Sequence, residues 1–120
     1  MARYRLSHAA VADIDAILEW SGAHFGESAR RRYAALIAAG LRDIARVRDG
    51  LGAKPRPELG ELVYSWHLRL SREKVLGDLV HAPRHFVVYR VETSGVIIGR
   101  ILHDSMDLER HIDSESAWQS

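Results

Sequence analysis

The residues of this chain that could carry out chemistry lie mostly in its C-terminal half. Acid–base chemistry on a phosphate ester needs a base, an acid for the leaving oxygen and cations that hold the phosphate. His103 could serve as the base, and Arg90 and Arg100 could hold the phosphate. Further candidates for proton transfer are His85 and Glu58 or Glu61. No spacing joins these residues into a motif, so a second possibility stays open, in which His103 is a structural histidine that hydrogen-bonds Asp104 or Asp107.

A metal site is not expected, although the chain contains seven histidines. His81 and His85 are four residues apart, but they fall where a loop passes into a strand, and there this spacing does not align side chains. We therefore expect neither a metal nor another cofactor. Because the chain has no cysteine, disulfides and thiol chemistry are excluded, and a cytoplasmic location is the simplest expectation.

The length and charge of the chain limit its possible functions. Its 120 residues suffice for one core, and we expect a single domain over residues 1–112 followed by a loose tail over residues 113–120. A net charge of +1 argues against a nucleic-acid clamp held by charge alone. There is no apolar run of the ~20 residues that a membrane span needs, and the first residues lack the apolar core of a signal peptide.

Two strands and a tight turn would position the candidate residues. Arg84–Val91 and Val96–His103 are rich in aromatic and β-branched residues, which favour strands. A three-residue turn that ends at Gly95 would place Arg90 opposite Ile98. One face of this hairpin would then carry both arginines among apolar side chains: Phe86, Val88, Arg90, Ile98, Arg100 and Leu102. The other face would be wholly apolar and would need a cover: Tyr89, Val91, Ile97 and Ile101.

Two predicted helices supply that cover. Ser7 is well placed to cap a helix over His8–His24, in which Asp13 falls on the solvent side. Phe25-Gly26 separates it from a second helix, whose apolar stripe runs from Tyr33 to Val47. Other expected segments are a strand at Arg3–Ser7, a strand at Glu61–Leu70 and a loop at Ser71–Pro83. The predicted fold class is α+β, with an N-terminal strand and an antiparallel helix hairpin packed on one face of a small antiparallel sheet.

The face of the sheet that carries the arginines would remain open. Arginines set among apolar residues on an open face are typical of a protein-binding surface. Of the three tryptophans, we expect Trp20 and Trp66 in the core, whereas Trp118 would be either loose or in contact with a partner.

Several short motifs follow one another along nearly the whole chain. They are Tyr4-Arg5-Leu6-Ser7, Phe25-Gly26, Arg56-Pro57-Glu58-Leu59, Val88-Tyr89-Arg90-Val91 and Ile101-Leu102-His103-Asp104-Ser105-Met106-Asp107-Leu108. In this order and spacing, the chain resembles the ParE branch of the ParE/RelE toxin superfamily, a plasmid stabilisation family. The main departure is Leu68–Pro83, because ParE-like chains usually pass from strand to strand there within a few residues.

The resemblance implies a toxin of a type II toxin–antitoxin module. Such a toxin inhibits DNA gyrase through protein–protein binding, and a ParD-like antitoxin neutralises it in a toxin–antitoxin hetero-oligomer. The antitoxin would bring a DNA-binding half, so that operator DNA is reached only through it, and a disordered half that folds on the toxin. No membrane partner is implied.

The open face and the segment after it are the expected binding site for antitoxin or target. The expected contact residues are Phe86, Val88, Arg90, Ile98, Arg100, His103, Asp107 and Arg110. An alternative follows from the sister branch, whose members are ribosome-dependent mRNA endonucleases of the RelE type. In that alternative His103, Arg90 and Arg100 become catalytic residues, and otherwise no catalytic residue is expected.

Overall fold

A mixed sheet with two long helices forms the framework of this protein in a computed structural model that describes residues 3–75, 77, 79–112 and 116–119. The strands are β1 (Tyr4–Leu6), β2 (Lys54–Pro55), β3 (Val63–His67), β4 (His85–Glu92) and β5 (Gly95–His103). The α-helices are α1 (His8–Phe25), α2 (Glu27–Val47) and α3 (Leu108–His111). Short 3₁₀ helices lie at Pro57–Leu59, Leu68–Lys74 and Ser116–Trp118.

The predicted α+β class is confirmed. The five strands lie in the order β1-β5-β4-β3-β2, and α1 and α2 cover one face of the sheet. The sheet is mixed, because β1 pairs with β5 in parallel while the other neighbours are antiparallel. The main core lies between helices and sheet, where Leu36 and Ile44 of α2 pack with Val87 and Tyr89 of β4.

The start of α1 is fixed by the residue that the sequence predicted. The Ser7 hydroxyl accepts a hydrogen bond from the Ala10 backbone N–H at 3.0 Å and donates one to the Gly99 carbonyl at 2.8 Å. Ser7 is fully buried, so one side chain both caps the helix and ties it to β5. The break between the helices is also confirmed, since Gly26 has a φ of 93°, which glycine adopts without strain.

The β4–β5 hairpin turns on two residues rather than the predicted three. Glu92 pairs with Gly95 and Arg90 pairs with Ile97, so the predicted pairing of Arg90 with Ile98 is wrong. Ile98 lies instead in the core beneath the helices, and its predicted position on the arginine-bearing face is therefore wrong as well. A shift of one residue exchanges the two faces of a strand, which is why the shorter turn moves Ile98.

A bulge in β5 restores the predicted register beyond the turn. Tyr89 pairs with Ile98 but Val88 pairs with Arg100, so Gly99 has no residue opposite it. An extra residue in one strand shifts the pairing by one. Beyond this point the strands pair as predicted, with Phe86 opposite Leu102 on the face away from the helices; the residues packed there include Val63, Phe86, Val88, Leu102 and Leu108.

The face predicted to be open is covered by the C-terminal segment. Leu108 and Trp118 pack against Phe86 and Val88, which are 8% and 0% exposed. Within the segment predicted as a loose tail, residues 116–119 pack on the sheet, and the Gln119 carbonyl accepts a hydrogen bond from the His8 N–H at 2.7 Å. Residues 113–115 and 120 lie outside the described residues, and a domain boundary at residue 112 stays a prediction.

The segment between β3 and β4 is held by a buried hydrogen-bond chain. Trp66 Nε1 donates to the Ser71 hydroxyl at 3.0 Å, and this hydroxyl donates to Asp43 Oδ2 on α2 at 2.6 Å. The expected core position of Trp66 is thus confirmed. The predicted strand ends earlier than expected, at His67, because the chain turns there into the 3₁₀ helix Leu68–Lys74. The predicted loop at 71–83 includes Leu76 and Asp78, which lie outside the described residues.

Candidate functional site

The three alternative catalytic residues are spread along the hairpin. Arg90 pairs with Ile97, and His103 lies six positions further along β5. The bulge at Gly99 adds a residue to β5 only, so the separation equals the five positions from Arg90 to His85 on β4, or about 17 Å at about 3.3 Å per residue. A base and a phosphate clamp that act on one phosphodiester must both contact it, and this separation argues against that joint role for Arg90 and His103.

Arg100 is held by an acidic residue of α1. Its Nε and Nη2 atoms donate to the two Asp13 carboxylate oxygens at 2.7 and 3.0 Å, and the Ile101 N–H donates to the same carboxylate at 2.9 Å. Hydrogen bonding to Asp13 raises the pKa of the Arg100 guanidinium. Asp13 therefore accepts a hydrogen bond from a backbone N–H of β5 at a position that β1 does not reach. The sequence expectation that Asp13 lies on the solvent side of α1 is wrong. A helix residue 87 positions away from its partner gives no local signal for this contact.

Arg90 lies beneath the C-terminal segment. Its guanidinium carbon is 4.9 Å from the centroid of the Trp118 ring, a cation–π geometry, and its Nη2 atom is 3.7 Å from a Glu92 carboxylate oxygen. Gly99 makes room for this ring, since a Cβ at that position would lie 2.5 Å from Trp118. Arg90 remains 35% exposed and can still contact a partner.

The other expected contact residues occupy different depths. Asp107 and Arg110 are exposed at the start of α3, where the Arg110 N–H donates to the Asp107 carbonyl at 3.3 Å. Phe86, Val88 and Ile98 are buried, so they can support a binding surface but do not present one. The role of these residues in binding stays a prediction.

His103 is a hydrogen-bonded residue at the end of β5. Its Nδ1 atom accepts from the Ser105 N–H at 3.2 Å and lies 2.7 Å from the Ser105 hydroxyl. Asp104, one of the two expected partners, has a carboxylate oxygen 3.7 Å from the same nitrogen. The histidine thus fixes the turn after β5 mainly through Ser105, while its ring faces His85 at a centroid distance of 5.3 Å.

His85 forms a hydrogen bond that the sequence did not indicate. Its Nδ1 atom is 2.5 Å from the Tyr33 hydroxyl of α2. Burial raises the pKa of Tyr33 to about 12, and burial together with His103 lowers the pKa of His85 to about 4. Tyr33 is therefore the donor and neutral His85 the acceptor. The sequence identifies Tyr33 only as part of the apolar stripe of α2, because its partner lies 52 residues away.

Tyr33, His85 and His103 line a cavity of about 640 Å³ between the two helices and the segment before β4. Its apolar wall is formed by Ala16, Ile17, Trp20, Phe25, Ala29, Leu79, Val80 and Ala82. Its polar lining is formed by Ser21, Arg32, Tyr33, His81, Arg84, His85 and His103. Trp20 is 55% exposed and Phe25 is 68% exposed, so the expected core position of Trp20 is wrong. The cavity can accept an apolar group and an anionic group together.

An acidic residue is paired with Arg84, one of the polar residues that line the cavity. Asp104 accepts a hydrogen bond from His67 Nε2 at 3.1 Å and lies 3.2 Å from Arg84 Nε. Hydrogen bonding to His67 and to Arg84 lowers the pKa of Asp104. The carboxylate therefore balances part of the Arg84 charge without lining the cavity.

The residues that the structure describes form neither a metal site nor a helix that could span a membrane. No group of three or more His, Asp or Glu side chains there is arranged to hold a metal ion. None of the helices described there combines the length and the apolar character that a membrane crossing requires.

Comparison with known proteins places most of the chain within one family model. A model described as the ParE toxin of the type II toxin–antitoxin system parDE matches residues 4–108. No curated protein matches the chain.

Proposed function

Because this chain belongs to the ParE toxin family of type II toxin–antitoxin systems, we propose that it inhibits DNA gyrase by binding it. We propose further that a ParD-like antitoxin binds this chain and neutralises it in a cytoplasmic hetero-oligomer. Operator DNA would be contacted only through the antitoxin. The chain itself would act without a catalytic residue and without a cofactor.

The observation that carries the binding mechanism is the separation of the alternative catalytic residues. Arg100 is paired with Asp13, and Arg90 is stacked on Trp118 about 17 Å along the hairpin from His103. Each of the three side chains thus has a structural partner of its own, which for His103 is Ser105. This arrangement supports a binding protein over a nuclease that uses those three residues.

The proposed contact surface is the exposed rim of the covered face. Arg90, Asp107 and Arg110 are accessible there, and buried Phe86 and Val88 support them from below. His103 lies at the far end of the same hairpin. Arginine at such a rim suits a protein partner, since its planar guanidinium forms paired hydrogen bonds with carboxylates.

One observation favours the alternative, a RelE-like ribosome-dependent mRNA endonuclease. His85, His103 and Tyr33 lie close together, and Arg84 lines the same cavity. A nuclease built on this cluster would use His85 and Tyr33 instead of Arg90 and Arg100. The experiment below separates the two mechanisms.

Induced expression of the chain in bacterial cells tests the proposal. We expect a DNA-damage response and filamentation while protein synthesis at first continues, and we expect co-expression of the antitoxin encoded by the neighbouring gene to prevent both.

Arg90→Ala should lose toxicity or antitoxin binding while its circular dichroism spectrum is unchanged. The matched control is Arg42→Ala, which removes an exposed arginine of α2. Arg90→Lys keeps a cation over Trp118 but removes the guanidinium. It therefore separates the role of Arg90 in binding a partner from its contact with the Trp118 ring.

Immediate arrest of protein synthesis with cut transcripts would contradict gyrase inhibition and favour the nuclease. Full toxicity and full neutralisation of Arg90→Ala would remove Arg90 from the proposed surface.

A further inference from the structure

The cavity between α1, α2 and residues 79–85 has a charge pattern that selects one kind of ligand. Of the described residues that line it, none is acidic, whereas five carry a cationic or imidazole group: Arg32, His81, Arg84, His85 and His103. The rest of the lining is mainly aliphatic or aromatic. An anion that enters this cavity therefore meets hydrogen-bond donors, and an apolar group meets carbon.

His85 and His103 each have one ring nitrogen left to donate. Nδ1 of His85 accepts the Tyr33 hydroxyl proton, and Nδ1 of His103 accepts the Ser105 N–H. In each neutral ring the proton is therefore on Nε2. The two ring centroids are 5.3 Å apart and both rings line the cavity, so one carboxylate there has two N–H donors nearby.

A single carboxylate fits this site better than a nucleic acid. Arg84 already shares its charge with Asp104, and Arg32 donates to the Ser28 hydroxyl at 2.9 Å. A polyanion would need more unshared cations along its length, and the whole chain carries a net charge of only +1. The aliphatic wall also offers little to a phosphate backbone.

The mouth of the cavity bears exposed aromatic side chains. The Trp20 ring stacks on His24 at 4.2 Å and meets the edge of Phe25 at 5.5 Å. The opposite wall comes from residues 79–82, which lie within the Leu68–Pro83 segment. Exposed aromatic residues around an apolar cavity are typical of anchor sites in protein interfaces.

We propose that this cavity binds a segment of the antitoxin in which an apolar side chain stands next to an acidic one. The apolar side chain lies against Ile17 and Val80, and the carboxylate accepts hydrogen bonds from His85 and His103. The inference rests on the proposed function, because it takes the antitoxin as the partner. It adds a subsite that residues 79–82 help to build, so cognate and non-cognate antitoxins would be distinguished there.

The test measures antitoxin binding by isothermal titration calorimetry with the full chain and the purified antitoxin. Ala16 lines the cavity and is exposed on α1, so Ala16→Glu introduces a carboxylate without disturbing the core. Ala12 is also exposed on α1, one turn earlier and outside the lining, so Ala12→Glu is the matched control. We expect Ala16→Glu to weaken binding at least about tenfold, Ala12→Glu to change it less than about twofold, and Ala16→Lys to retain it within about threefold.

A second measurement identifies the carboxylate itself. Each acidic residue in the toxin-binding half of the antitoxin is replaced by its amide, and one replacement should reproduce the loss seen with Ala16→Glu. Combined with His85→Gln, that replacement should add little further loss, because both changes remove the same contact.

The outcomes separate this inference from the proposed function. If the wild-type chain does not bind the antitoxin, both are overturned. If it binds the antitoxin and Ala16→Glu binds equally well, or Ala16→Lys is weakened as much as Ala16→Glu, the cavity subsite alone is overturned. Binding of a single-stranded RNA oligonucleotide that Ala16→Glu abolishes, with antitoxin binding intact, would also overturn it.

Discussion

At the scale of single residues, the contact between Tyr33 and His85 determines the chemistry of the cavity. Its two groups prefer their neutral forms for the same reason, which is that burial disfavours charge. The hydrogen bond then fixes the imidazole tautomer and directs its remaining N–H away from Tyr33. A neutral, oriented histidine is a hydrogen-bond donor at physiological pH, and it is not a strong base.

This environment makes stability depend on pH in a defined window. The folded-state pKa of His85 is lowered from 6.5 to about 4, so the unfolded chain binds a proton below pH 6.5 that the folded chain does not bind until about pH 4. The free energy of unfolding should therefore fall as the pH drops through this window, by about 2 kcal/mol once partial exposure of the ring is allowed for. Asp104 adds a further loss of stability at lower pH. Hydrogen bonding to His67 lowers its pKa from 3.8 in the folded chain, so the unfolded chain takes up this proton first as the pH falls.

Denaturant unfolding measured at several pH values between 7 and 4 checks this expectation. His85→Gln keeps an acceptor for the Tyr33 hydroxyl and cannot titrate, so its stability should vary less with pH than that of the wild-type chain. An unchanged slope in His85→Gln would show that another group causes the dependence.

At the scale of elements, the 3₁₀ helix Ser116–Trp118 and the β5 bulge form one unit. Gly99 is the bulged residue, and the space above it is occupied by the Trp118 ring, which also stacks on Arg90. Ser7 hydrogen-bonds the Gly99 carbonyl from the other side, at the start of α1. The bulge thus joins the first helix, the sheet and the last described residues.

The unit predicts that two substitutions will be non-additive. Gly99→Ala places a methyl group where the Trp118 ring lies, so it should lower the free energy of unfolding by about 1–3 kcal/mol. In a Trp118→Ala background the ring is gone, and most of this loss should disappear. Trp20→Ala, which removes an exposed tryptophan, is the matched control and should change stability little.

Urea unfolding of the two single variants and the double variant measures the coupling. An equal cost of Gly99→Ala with and without Trp118 would mean that the ring does not occupy the bulge.

The same elements show which features a sequence can predict. The cap at Ser7, the break at Gly26 and the core position of Trp66 follow from local residue types and periodicity, which are properties of adjacent residues. The bulge at Gly99 and the contacts Asp13–Arg100 and Tyr33–His85 join residues that are distant in the sequence. No local period records them, and therefore the turn length, the register near it and the polar lining of the cavity were not predicted.

At the scale of the whole molecule, the two faces of the sheet have different functions in this account. One face is buried by α1 and α2. The proposed antitoxin cavity lies near the point where α1 ends and α2 begins. The other face is covered by α3 and the 3₁₀ helix Ser116–Trp118, and Arg90 lies at the exposed rim of this face. Family membership implies a toxin–antitoxin module, and the separation of Arg90 from His103 favours action by binding.

The measurement that tests gyrase inhibition most directly is a DNA supercoiling assay with purified gyrase and purified protein, run beside translating ribosomes that carry messenger RNA. We predict that supercoiling is inhibited or gyrase is trapped on cleaved DNA, that the RNA stays intact, and that added antitoxin restores supercoiling. Cut RNA with normal supercoiling would contradict the account and assign the chemistry to the cluster of Tyr33, His85 and His103.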